Sequence, residues 1–153
     1  MSITGIPRSV HSEGNIMHRM TEDIKINNVM NIQDVSAGVN SSFVDMSEHR
    51  RALIVVQADP GEGETVTVTA KVSANADGSS PISLASPQTI TGASGAVYIE
   101  VGTTELNSQG ATIKYLGVTV TSAGDAVNAG AVIYQGEPRY RPASQALTGA
   151  VIE

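Results

Sequence analysis

The chain has 153 residues, no cysteine or tryptophan, one phenylalanine and a net charge of −6 at neutral pH. Disulfide staples, thiol catalysis and thiolate metal sites are therefore excluded, and the lack of basic clusters with interleaved aromatics excludes a general nucleic-acid or anionic-membrane binder. With 41% hydrophobic and 16% charged residues it is not disordered overall, yet its core must be a thin one of Val, Ile, Leu and Ala.

Residues 1–46 show no sustained period. Arg8, His11, Glu13, His18 and Arg19 interrupt any signal-peptide-like run, which predicts a product made in its host's cytoplasm. Met17, Met20, Ile24, Ile26, Val29, Met30 and Ile32 are scattered among polar residues, and 17–26 reads equally as a short helix or an added strand. This stretch reads as an N-terminal arm that packs against a neighbour, or that covers its own domain.

The pattern changes at Arg51. Arg51–Ala58 holds the run Leu53–Val56, expected as a strand buried on both faces. Asp59–Gly63 is turn chemistry. Glu64–Ser73 alternates strictly, with Val66, Val68, Ala70 and Val72 on one face and Thr65, Thr67, Thr69 and Lys71 on the other. Asn75–Ser80 turns; Ile82–Leu84 and Gln88–Thr91 are short strands around Pro87, which suits a sheet edge. Ala96–Val101 alternates again, and Thr103–Gly110 is a loop with room for one helical turn. Thr112–Thr121 changes phase at Gly117, which predicts a β-bulge there. Asn128–Gln135 closes the set.

Short strands at regular spacing predict a mainly β fold, an antiparallel sandwich or small jelly-roll-like barrel, with extended arms. The expected organisation is an N-terminal arm at 1–46, a β domain at 47–136 and a C-terminal arm at 137–153.

No catalytic set assembles, so the chain reads as a non-enzyme without cofactor. His11, His18 and His49 lack metal-ligand spacing, and no metal is expected. Asp59, Glu62 and Glu64 form an acidic turn without an EF-hand pattern, and 61–65 (GEGET) lacks the Gly-Lys-Ser/Thr ending of a phosphate loop. Asn40-Ser41-Ser42 is a glycosylation sequon in form only. The informative segment is Arg139-Tyr140-Arg141 between Pro138 and Pro142, since Arg and Tyr are frequent interface anchors and prolines lower the cost of ordering. With Ile24, Ile26, Val29, Met30, Leu147, Val151 and Ile152, these are the candidate partner-binding residues.

The unpatterned N-terminal segment, the Thr/Val/Gly-rich β domain, the run 114–121 (KYLGVTVT) and the ending 136–142 (GEPRYRP) together resemble small structural proteins of tailed bacteriophages that decorate or cement the capsid. That resemblance implies a virion protein on the capsid surface, bound to the major capsid protein and homo-oligomeric, often a trimer, with no nucleic-acid or membrane partner. Two other readings stay open. One is a different virion appendage such as a head fibre, neck or tail protein; the other is a carbohydrate-binding or adhesion module, which would need exposed aromatics from Tyr98, Tyr115, Tyr134 or Tyr140.

Overall fold

The computed structural model describes residues 23–84, 86–124 and 126–138. In chain order the strands are β1 (Lys25–Asp34), β2 (Val39–Asn40), β3 (Val44–Asp45), β4 (His49–Ala58), β5 (Thr65–Ser73), β6 (Ile82–Ser83), β7 (Gln88–Thr91), β8 (Gly95–Gly102), β9 (Tyr115–Ser122) and β10 (Asn128–Pro138), with the helix α1 (Thr103–Ser108) between β8 and β9. All pairings are antiparallel. One sheet runs β1-β10-β4-β8; the other runs β2-β9-β5-β6, with β3 also on β9 and β7 also on β5.

Taken as one broken strand each, β2 with β3 and β6 with β7 reduce the described residues to eight strands. The first, eighth, third and sixth then form one sheet, and the second, seventh, fourth and fifth the other. That is the double Greek key of a jelly roll, and the expected sandwich takes this form.

The alternation predicted for β5 is realised: Val66, Val68, Ala70 and Val72 are buried against β4's Ala52, Ile54, Val56 and Ala58 and β10's Ala129, Ala131 and Ile133. β9 adds Leu116, Val118 and Val120. α1 seals one end of the sandwich with buried Leu106. Three turns share one device, an Asp-x-Ser in which the Asp carboxylate accepts from the Ser amide: Asp34–Ser36 (2.9 Å), Asp45–Ser47 (2.8 Å) and Asp77–Ser79 (2.9 Å). These amide bonds hold the Asp34 and Asp77 carboxyls below their ordinary range.

Five expectations need correction. Residues 25–46 are not an arm: β1 pairs with β10, and Val29, Met30, Val35 and Met46 belong to the core. Val29 and Met30, expected to bind a partner, are buried in the chain's own sandwich. Gly117 makes no bulge, since β5 and β9 keep continuous register from Ser73↔Tyr115 to Val66↔Ser122. It is glycine because the Phe43 ring lies on it, where a Cβ would come within 2.8 Å of the ring; the apparent change of phase arises because the strand starts only at Tyr115. β4 is buried fully on one face only, with Leu53 and Val55 half-buried on the other. Residues 137–138, placed in the C-terminal arm, end β10.

Candidate functional site

The two outer faces of the sandwich differ in chemistry. On the six-stranded sheet the outward residues include Thr65, Thr67, Thr69 and Lys71 of β5, Thr119 and Thr121 of β9 and Thr89 of β7, with half-buried Tyr115 and the Phe43 ring over Gly117 at one end. Apart from those two rings this is the polar surface expected where a sheet meets water. On the four-stranded sheet the registers set Ile26, Tyr134, Leu53 and Glu100 in one row, and Asn28, Val132, Val55 and Tyr98 in the next. Tyr98 is 73% exposed, and Ile32, at the far end of β1, is 81% exposed. A hollow of about 410 Å³ on this face is lined by Ile24, Leu53, Ala52, Tyr134 and Gly136, with Arg51 and Glu100 at its rim. An apolar, aromatic-bearing sheet face with charges at its margin has the make-up of a protein–protein contact.

Both described chain ends lie at one end of this face. Lys25 opens β1 opposite Gln135, and Pro138 closes β10 opposite His49. Arg51 holds this corner by ion pairs to Glu100 (3.4 Å) and Glu137 (3.2 Å). Glu137 has φ +51°, an unusual conformation for a residue that precedes a proline, yet Pro138 after it still pairs with His49. A second, more polar hollow of about 500 Å³ adjoins, lined by Arg50, Arg51, Glu100, Thr104, Glu105 and Glu137.

Beneath the corner, inside the core, lies a polar chain. Asn27 Nδ2 donates to Gln135 Oε1 (2.9 Å) and to the Ile133 carbonyl (3.3 Å), and Gln135 Nε2 donates to the Asp45 carbonyl (2.7 Å). Gln135 is fully buried. His49 beside it is 2% exposed, and both ring nitrogens lack a hydrogen-bond partner. Burial, and secondarily the Lys25 charge, pull its pKa below the ordinary value, so the ring is neutral.

Of the predicted partner-binding residues, Ile24 and Ile26 fall on or beside the apolar face. Arg139, Tyr140, Arg141, Leu147, Val151 and Ile152 lie outside the described residues, as do His11 and His18. Sequence reasoning missed Leu53, Val55 and Val132 as part of an outer face. The unbroken run in β4 was the available signal, but a run apolar on both faces reads as doubly buried until the layers are known. The acidic turn is internally engaged: Glu64 accepts from the Gly61 amide (2.8 Å) and Asp59 from the Ser94 hydroxyl. Among the described residues no three metal-ligating side chains cluster, and no helix is long and apolar enough to cross a membrane.

No family model matches the chain, and no curated protein matches it. Solved structures with a similar strand arrangement include the infectious bursal disease virus Gx strain (11% identity, TM-score 0.45, 78% of this chain, 35% of that one). The VP2 subviral particle of the same virus also matches (12% identity, TM-score 0.43, 90% of this chain, 37% of that one). The chain spans about a third of the length of these viral chains. At such identities and scores the jelly-roll assignment rests on this chain's own strand order and register.

Proposed function

We propose that this chain is a non-enzymatic virion structural protein, a decoration or cement protein of the capsid surface. The observation that carries the reading is the contrast between the two outer faces: one sheet presents Thr and Lys to water, whereas the other presents Ile26, Leu53, Val55, Val132 and Tyr134 beside the corner where both described ends emerge. Leaving such a face in water forgoes roughly 25 cal/mol per Å² of apolar surface, which a partner's surface recovers. The sequence resemblance to tailed-phage structural proteins supports the capsid as that partner, with the major capsid protein under the apolar face. In this reading Arg139, Tyr140, Arg141, Leu147, Val151 and Ile152 bind the capsid subunits, with Ile24 and Ile26 completing the contact. Many such weak contacts on a symmetric lattice add through effective concentration. The homo-oligomer, a trimer by the same resemblance, repeats the set.

The test is co-sedimentation with heads of the parent virus assembled without this chain. Wild type should bind; Leu53→Glu with Val132→Glu should lose at least tenfold in affinity while far-UV circular dichroism stays native; Thr67→Glu on the opposite face should bind as wild type. Binding unaffected by the outer-face pair overturns the reading, and so does failure of the wild-type chain to bind.

A further inference from the structure

We infer that the free edge of β8 is a self-association site, where β8 of a second copy pairs antiparallel about a two-fold axis at Tyr98. The inference goes beyond the proposed function and stands without it, since it concerns the purified chain alone.

The argument begins with the sheet edges. An unpaired edge strand carries a row of open N–H and C=O groups, and proteins blunt such edges by bulges, charges, proline or shortness. Among the described residues β1 is blunted by register shifts at Asn28/Met30 and Met30/Gln33. The edges of the six-stranded sheet are made of short pieces, β2, β3 and β6 of two residues each and β7 of four. β8 alone is long and straight: it pairs with β4 without a shift from Arg51↔Gly102 to Ala58↔Gly95, and no strand pairs with its other edge, which β7 approaches only at the Gly95 end. It contains no proline or lysine, and one charge, Glu100.

The side chains carry the same sign of incompleteness. Val97 and Ile99 point toward the core but are only half-buried, unlike the fully buried Ile54 and Val56 opposite them. On the outer side Tyr98 stands 73% exposed in mid-strand.

The sequence of β8 selects its own kind. In an antiparallel pair, residues directly opposite share a face, so a two-fold at a residue position keeps core sides and outer sides aligned between copies. An axis at Tyr98 sets Tyr98 against Tyr98, Val97 against Ile99, and Ala96 against Glu100 of the second copy. This covers the half-buried aliphatic pair, makes a cross-strand aromatic contact, and keeps the two Glu100 carboxylates apart. An axis at Glu100 would place like charges opposite each other. Pairing at Tyr98 joins two four-stranded sheets into one and makes the apolar outer faces of both copies continuous, a surface twice as broad for a third partner.

The chain has no cysteine, so single introduced thiols report this contact directly. Opposite Cα atoms in an antiparallel pair lie about 4.5–5.5 Å apart, within the span of a disulfide. Under mild oxidation Tyr98→Cys should form a covalent dimer. Glu100→Cys alone should not, whereas an equimolar mixture of Ala96→Cys and Glu100→Cys should cross-link. Light scattering of the wild type should show a monomer–dimer equilibrium. A Tyr98→Cys protein that stays monomeric while its thiol reacts freely overturns the inference, as does Glu100→Cys cross-linking equally well, or a wild type monomeric at every concentration. Because no capsid is present, these results are independent of whether the chain binds heads.

Discussion

His49 sits 2% exposed at the start of β4, facing Lys25 from β1 and next to Glu48, and neither ring nitrogen has a partner. The desolvated ring binds a proton less readily than it does in the unfolded chain, so its folded-state pKa lies below the ordinary 6.5. The stability this represents is present in full above about pH 6.5 and is lost as the pH falls through that value, because the unfolded state then takes up the proton first. The urea midpoint should therefore fall between pH 7.5 and 5.5, and His49→Phe should flatten that fall. An unchanged slope in the variant would assign the acid sensitivity elsewhere. At the same scale, Gln135 is the hinge of the buried polar chain from Asn27 to the Asp45 carbonyl. Gln135→Leu removes one of the two acceptors of the Asn27 amide and the donor to the part-buried Asp45 carbonyl, and should cost about 1–3 kcal/mol in urea unfolding. None of this was legible in the sequence: a lone His and a lone Gln carry no period, and their burial follows only from the β1–β10 pairing.

Among the elements, β1 is where sequence and structure part most. Its two register shifts break the period-2 signal, so Ile26, Val29, Met30 and Ile32 look scattered although each has a fixed place in one strand. The strand supplies Val29 and Met30 to the core and Asn27 to the polar chain. A chain begun at residue 23 should keep a cooperative thermal transition, whereas one begun at residue 35 should lose it, because β10 would then present an open edge and the core would lose two aliphatic side chains. Calorimetry of the two truncations separates the outcomes; a cooperative transition in the shorter chain would show β1 to be dispensable. β5, by contrast, was readable in full, since its unbroken Val/Thr alternation meets one buried and one wetted face.

At the scale of the whole molecule, a thin aliphatic core and an uncovered apolar sheet face point the same way. Association that buries this face or completes the β8 edge binds only the folded state, so it raises apparent stability by mass action. The melting temperature of the wild type should rise with protein concentration, by a few degrees over a hundredfold range if the dissociation constant lies within it. The rise should vanish in Tyr98→Lys, which places a charge at the proposed axis. A melting temperature independent of concentration would leave the fold self-sufficient.

The sequence by itself determined that the chain is mainly β and antiparallel with an aliphatic core, a sandwich or a small barrel, because alternation and turn chemistry are local and survive in one dimension. It also determined which stretches are strands wherever the period is unbroken, as in β4, β5, β8 and β10. Only the tertiary structure decided the jelly-roll order, the membership of β1 in the core, and the placement of the half-buried Leu53, Val55, Val132 and Tyr134 on an outer face. The physical reason is that a strand with two apolar faces has the same sequence whether its second face meets another layer or none. The count of layers is a property of the assembled sheets, and here it leaves one apolar face for a partner to cover.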